Sequence, residues 1–330
     1  MKTQNVIANT DGIHRNYLAD PEVFAQAVSQ TVFGRENQVM PENVIELDSS
    51  RQFPEERIRN GKKEKTLREL RRDVLKEVRT EQEKNAFSCL IAGMEAQTYR
   101  CREMAFRGAQ YDLAEYGIQI RAMERRNRKR RRKEKQESGL FLSKMKEDDL
   151  LKFACTIVVW FSAAPWKEPR NLIDLIDVPK GCRLPLPSWP LTVIEPCLMS
   201  DEELLKLGKS LGSVLILVKH SKSCEEMNQV MRKYAQIYGN YGKRETEVVE
   251  SALYLNLDLK DCETKEGGFD MCKAFEQQRA FGRQEGRLEQ AYESSLRLYK
   301  RGFSAEEIAV IEDQPEETVR KWIFEKKPLN

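Results

Sequence analysis

Between Pro21 and Val32 apolar residues recur at Val23, Phe24, Ala27, Val28 and Val32, the spacing of one helical face, and Asp20 ahead of Pro21 is a helix start signal. Gln38 to Leu47 predicts a short extended segment, and the polar, lysine-rich stretch Asp48 to Glu64 predicts a loop. The pattern then becomes ambiguous: Leu67, Leu70, Val74 and Leu75, within Thr66 to Glu77, fit a helical face as well as a strand. Phe87 to Met94 is a continuous apolar run of strand length, closed by Glu95-Ala96-Gln97. Glu103 to Ile120 reads as a helix, with Met104, Ala105, Tyr111, Ala114, Tyr116, Ile118 and Ile120 among its apolar positions. Ala154 to Phe161 is apolar and β-branched, as in a central strand, with Trp160 and Trp166 as packing residues. Prolines punctuate Pro165 to Pro196, where Leu191 to Ile194 reads as an edge strand.

Beyond this point the periodicity is helical. Ser200-Asp201-Glu202-Glu203 opens an amphipathic stretch to about Ser221, and Glu225 to Tyr238 and Glu247 to Leu259 predict further helices. In the tail, Gly282 and Gly286 lie among charges and predict an exposed connector, since glycine weakens a helix. Ser304 caps one short helix and Pro315 opens another, an arrangement similar to a helix-turn-helix. The second helix starts acidic, where a DNA reader usually presents base contacts, so a packing or dimerising hairpin stands beside that reading. A homodimer is the corresponding partner expectation. Three regions follow: a core over 14–198, a helical accessory region over 199–268 and a helical tail over 269–330.

A length of 330 residues with 40% hydrophobic content can build a sizeable core, and 33% charged content predicts long, exposed helices. The formal charge of +3 is nearly balanced, so its distribution matters more than its sum. The eight cysteines form no Cys-x-x-Cys pair, which speaks against a zinc site and a secreted disulfide framework. Reduced thiols and a cytoplasmic location are expected. The two histidines read as bystanders, His14 on the surface and His220 near a helix end. No apolar signal region opens the sequence, and Phe153 to Trp166 is too short to span a bilayer, so no membrane partner is expected.

The candidate chemistry lies between Arg71 and Thr98. A hard divalent cation takes oxygen ligands and keeps several waters, so one or two carboxylates on neighbouring strands suffice. With Asp73 on one strand and Glu95 at the end of the next, both would reach one ion. Residues two apart on a strand share a face, so Gln97 would point to the same side as Glu95. By chance alone, an acid followed by Glu-x-Gln is common in so charged a chain, and solvated strand-end charges are the bland reading.

Asp73…Glu95-Ala96-Gln97 resembles the active-site motif of the PD-(D/E)xK nuclease superfamily. More narrowly, the chain is similar to its recombination-promoting nuclease and transposase-like family, which commonly carries glutamine at the motif's third position. The resemblance extends to Asn16-Tyr17-Leu18-Ala19-Asp20-Pro21-Glu22-Val23-Phe24-Ala25, Gln38-Val39-Met40-Pro41-Glu42, Arg72-Asp73-Val74-Leu75-Lys76, Thr156-Ile157-Val158-Val159-Trp160-Phe161, Ile194-Glu195-Pro196 and Asp270-Met271-Cys272-Lys273-Ala274, so it covers roughly residues 14 to 285. It implies an α/β fold, a restriction-endonuclease-like mixed-sheet core of order α-β-β-β-α-β with a helical C-terminal extension. It also implies a DNA endonuclease, a hydrolase of phosphodiester bonds, acting in recombination or transposition. Magnesium would be its cofactor, with manganese as substitute, on Asp73, Glu95 and the backbone carbonyl of Ala96. Two departures bear on catalysis. The superfamily's lysine is replaced by Gln97, which cannot titrate and would only position water. An acid that family members often place one turn into the first helix is Gln26 here, leaving Glu22 as the candidate first-helix acid.

Ten of the fifteen residues from Arg121 to Lys135 are Lys or Arg, including Arg128-Lys129-Arg130-Arg131-Arg132-Lys133. Such a run would supply sequence-independent affinity for DNA phosphates and carry no base-reading information. A solvated linker is the bland alternative, and a eukaryotic nuclear-localisation signal is a weaker one. Arg102, Arg107 and Arg121 are further phosphate candidates, each as readily an ordinary solvated helix charge. Two other classes remain beside the nuclease: a non-catalytic DNA-binding or regulatory protein that retains the fold, and a helical interaction scaffold, which the apolar strand runs disfavour.

Overall fold

The structure, a computed structural model, describes residues 11–59, 62–82, 86–134, 145–146 and 148–325. The chain divides into two compact units, one running to Lys233 and including Lys243–Leu255, the other made of Tyr234–Gly242 and the chain from Asn256.

The first unit is mixed α/β. Its sheet is built from β1 (Val44–Glu46), β4 (Val74–Gln82), β5 (Ala86–Gln97), β6 (Phe153–Trp160) and β7 (Thr192–Ile194), in the order β1-β4-β5-β6-β7. β4 lies antiparallel to β1 and to β5, whereas β5, β6 and β7 run parallel. The parallel step from β5 to β6 is made by the long helix α3 (Met104–Glu134), since parallel neighbours need a crossover. Covered on both faces, β5 buries Leu90, Ile91, Ala92 and Met94 in succession, which is why its sequence reads as an unbroken apolar run.

Asp48 to Glu64 is not a loop. β2 (Ser50–Arg59) and β3 (Lys62–Arg71) pair antiparallel through it, so a strand ladder forms where polarity alone suggested none. This hairpin meets β1 and β4 with a change of register. Leu47 donates its amide to the Leu75 carbonyl at 3.0 Å, and Arg72 donates to the Ser49 carbonyl at 3.1 Å. Asp48 alone therefore spans on one side what Asp73 and Val74 span on the other. The extra residue is a β-bulge, and Asp73 sits in it.

One face of the sheet packs on α3 through a core of Met104, Ala105, Tyr111, Val158, Trp160, Trp166 and Leu191, in which the two tryptophans meet edge to face at 5.1 Å. On the other face, the helix over residues 11–18 (α1) leads into α2 (Pro21–Phe33). The Asp20 side chain caps α2 by accepting from the amides of Glu22 and Val23, and Gly34, at φ 64°, ends it in the left-handed conformation that glycine adopts freely. Buried Lys76 closes this face, donating to the Ala19 carbonyl at 2.5 Å, pairing with Glu46 at 2.8 Å and lying over the Phe24 ring. His14 is not on the surface: it is 1% exposed and stacks on Phe161 at 4.5 Å, because its helix turns that residue inward.

The helices α4 (Asp201–Leu205), α5 (Lys209–Lys219), α6 (Cys224–Lys233) and α8 (Lys243–Leu253) belong to this unit. His220 caps α5 and meets Asp201 at 3.1 Å. The second unit holds α7 (Ala235–Tyr238), α9 (Met271–Lys300), α10 (Ala305–Ile311) and α11 (Glu316–Glu325). The single helix expected over Glu225 to Tyr238 is broken at Tyr234, and the expected glycine connector is absent: Gly282 and Gly286 are exposed positions inside the continuous α9. There α9, α10 and α11 close a small core around Ala291, Ile308, Val319 and Trp322. Among the described residues no helix is long and apolar enough to cross a membrane. All eight cysteines are free.

Candidate active site

The bulge explains how Asp73 approaches β5. Val74 pairs with Met94, so Asp73 falls opposite Glu95 just beyond the end of the ladder. Freed from strand pairing, Asp73 donates its amide to Glu95 Oε1 at 3.3 Å and accepts the Ala96 amide on its own Oδ2 at 2.9 Å. Each carboxylate thus orients the other residue's backbone. Ala96 directs its amide to the β4 side, and in an extended strand the carbonyl of the same residue points the same way.

Glu95 is 1% exposed. Its Oε2 meets Arg107 Nη2, from the first turn of α3, at 3.1 Å. The guanidinium also donates to the Tyr111 hydroxyl at 3.0 Å and approaches Cys101 Sγ at 3.8 Å, while Tyr111 donates to the Arg71 carbonyl at 2.8 Å. Arg107 and Tyr111 stand four apart on α3 and so share a helix face. Burial, reinforced by neighbouring Asp73 and opposed by Arg107, pushes the Glu95 carboxyl up to about 8. Burial also raises Asp73, against the Ala96 amide, Arg107 and Arg15. Two carboxyls this close and this dry resist joint ionisation unless positive charge is supplied.

A second, deeper layer holds the first. Arg72 is 3% exposed and pairs with Asp112 of α3 at 3.2 Å. Asp112 also accepts from Thr156 Oγ1 at 2.7 Å and from Trp189 Nε1 at 3.1 Å. The Arg72 side chain crosses β5 at Gly93, where a Cβ would collide with its guanidinium and stand 3.0 Å from its Cδ. Glycine is required here because a close approach fills the space of a side chain.

The structure thus brings Asp73, Glu95 and Ala96 together. Gln97 is 3% exposed, its carbonyl accepts from Phe161 at 2.8 Å, and its side-chain Oε1 is buried without a hydrogen-bond partner among the described residues. Glu22 is not brought in. It lies exposed on α2, bonded to Gln26 at 3.5 Å, and Gln26 packs against Gly208 between α4 and α5. Arg128 and Lys129 are exposed on α3; the side chains of Arg130, Arg131, Arg132 and Lys133 lie outside the described residues. The stretch from Arg107 to Arg128 spans about 30 Å of helix, so the basic run stands well away from the carboxylates. Sequence reasoning missed Arg72, Tyr111 and Asp112. The i, i+4 spacing of Arg107 and Tyr111 was the available signal.

Among the described residues no group of three or more His, Cys, Asp or Glu is gathered that could hold a metal. Any cation would rest on two carboxylates, a carbonyl and water. Fold and site define a mixed α/β protein with a pair of carboxyls, one buried and one half-buried, at a bulged strand end. Comparison with family models, with curated proteins and with solved structures found no match to this chain.

Proposed function

We propose that this chain is a divalent-metal-dependent DNA endonuclease with a restriction-endonuclease-like core, acting in recombination or transposition. The observation that carries the reading is the apposition of half-buried Asp73 and buried Glu95 at the end of β4 and β5, each bonded to the other residue's strand. The donor set fits magnesium or manganese: carboxylate and carbonyl oxygens, few in number, leaving positions for water. Asp73, Glu95 and the Ala96 carbonyl would hold the ion. A bound ion would polarise the phosphodiester and lower the pKa of the attacking water.

The chain's own residues do the rest. Asp73 and Glu95 hold one another in register through the Ala96 and Asp73 amides, so the pair is preorganised. Gln97 offers a buried, unpartnered Oε1 with which to orient water, without itself taking a proton. Arg128 and Lys129, on the distant part of α3, would take phosphates about nine nucleotides along the same strand, at ~3.4 Å per phosphate. A cytoplasmic enzyme, with the α9–α11 unit as a candidate homodimer contact, completes the proposal.

One observation favours a second reading. Gln97 supplies no titratable group, as befits a DNA-binding protein that has kept the fold without the chemistry. The deciding experiment is nicking of supercoiled plasmid with magnesium, comparing the parent with Asp73→Ala, Glu95→Ala and Gln97→Ala and with a chelator control. Metal-dependent nicking lost with either acid is expected, with a milder loss for Gln97→Ala. A folded parent that binds plasmid and cuts with neither magnesium nor manganese would leave the binding reading in place.

A further inference from the structure

Glu95 Oε1 is committed to the Asp73 amide, so a cation must approach through Oε2, and there Arg107 already stands. The two partners differ in exposure. The Glu95 side chain is 1% exposed and that of Arg107 is 32% exposed, so the guanidinium reaches a dry carboxylate at one edge and solvent at the other. A divalent ion and a guanidinium on the same oxygen repel one another, so an ion taken by Glu95 weakens its hold on Arg107.

What a freed Arg107 meets is set by its surroundings. Arg15 and Arg107, both partly exposed, and the exposed Asp11 all act on Asp73, so two cations and one further acid line the mouth of the site. A guanidinium presents a planar fork of five donors that matches phosphate oxygens. Tyr111 accepts from the same Nη2 that meets Glu95, and Cys101 Sγ lies 3.8 Å from Nη1, so both terminal nitrogens have other partners that limit how far the head group swings.

We propose that Arg107 is a phosphate-contacting residue held in reserve on Glu95: the guanidinium that bonds Glu95 Oε2 in the free protein turns to a backbone phosphate of bound DNA once a divalent cation takes that oxygen. The inference rests on the nuclease reading and adds a substrate contact to that site. It couples the two ligands, because metal releases the phosphate contact and phosphate vacates the metal position, a reciprocity that linkage requires.

The test is a double-variant cycle on DNA affinity, which needs no turnover. Anisotropy of a labelled DNA duplex is followed with the full chain in chelator and again with calcium, for the parent, Glu95→Gln, Arg107→Gln and the double variant. In chelator, Glu95→Gln is expected to tighten DNA binding about fivefold or more, within the range of ordinary coupling, by releasing Arg107. That gain is expected to disappear in the double variant, which carries no orphaned charge at this position. Calcium is expected to tighten binding by the parent and to do so less for Arg107→Gln, with Arg107→Lys recovering part of the effect. A gain from Glu95→Gln that persists in the double variant reflects simple loss of negative charge and overturns the proposal. Equal affinities throughout overturn it too, while leaving the nuclease reading to the nicking assay. A parent that binds no duplex at low salt, with or without calcium, overturns both.

Discussion

Removing the carboxylate of Asp112 tests whether α3 is anchored to the sheet by charge. Asp112 is 5% exposed and serves Arg72, Thr156 and Trp189 at 3.2, 2.7 and 3.1 Å. Asp112→Ala leaves the buried Arg72 guanidinium without its bonded counter-charge, with Glu115 and Glu95 as its remaining acidic neighbours. Breaking a buried pair from one side costs about 3–5 kcal/mol, most of it the desolvated charge left behind. Thr156 can redirect its hydroxyl and Trp189 is only half-buried, so they add little. A loss of about 4 kcal/mol is therefore expected. Replacing Arg72 by Met in the Asp112→Ala background removes the orphaned charge and should return about half of it. Denaturant unfolding followed by tryptophan fluorescence reports on the right unit, because Trp160, Trp166 and Trp189 lie in the first and only Trp322 in the second. A loss under about 1 kcal/mol for Asp112→Ala, or no recovery with Arg72→Met, would refute the anchoring argument.

Three further outcomes are expected. Gly93→Ala should destabilise by about 1–3 kcal/mol through overpacking against Arg72 and should be strongly non-additive with Asp112→Ala, since both act on one guanidinium; additive losses in the same unfolding assay would count against the shared cause. Glu95, raised by burial to about 8, contributes a stabilising term present below its unfolded value near 4.5 and lost as pH rises through about 8. In chelator, Glu95→Gln should therefore gain stability relative to the parent between pH ~4.5 and ~8, by at most about 1.4 kcal/mol per pH unit; an unfolding free-energy difference that does not change over this range would show the carboxyl to be ionised throughout. Replacing both Arg128 and Lys129 by Gln should lower DNA affinity and flatten its log–log salt dependence by about two units, and an unchanged slope would detach this part of α3 from the phosphates.

The parts of the fold legible in the sequence are those with a long, unambiguous pattern. β5 and β6 declare themselves because strands covered on both faces carry long apolar runs, and α2 because Asp20, Pro21 and Gly34 mark its ends. The hairpin from Ser50 to Arg71 was illegible for the complementary reason. Its sequence carries few apolar residues and many charges, so pairing of one strand with the other left no hydrophobic period to read. In α9 two glycines weighed too heavily, as propensity alone does not end a helix that packs at both ends of its length. His14 was lost because a lone residue has no periodicity, and its burial depends on Phe161, almost 150 residues away.

The site divides along the same line, and the division is physical. Asp73, Glu95 and Gln97 were singled out by the resemblance of the segments around them, since the spacing alone is common by chance and periodicity left Asp73 between helix and strand. What makes the pair chemically distinctive is not local. Its protonation is governed by burial under α3, its counter-charge is Arg107, and its geometry depends on a bulge recognisable only when the partners of both Arg72 and Leu75 are known. Arg72 shows the point most sharply. Adjacent in sequence to Asp73, it reads as one more basic residue in a basic stretch, yet it is a buried charge that pairs with Asp112, itself held by Thr156 and Trp189, and lies in the space left by Gly93. With Asp73 in the bulge and Arg72 beside it locked to α3, any motion of α3 against the sheet would displace both a carboxylate and its neighbour. Arg107 reaches Glu95 from that same helix, so α3 governs both the geometry of the acids and the cation that faces them.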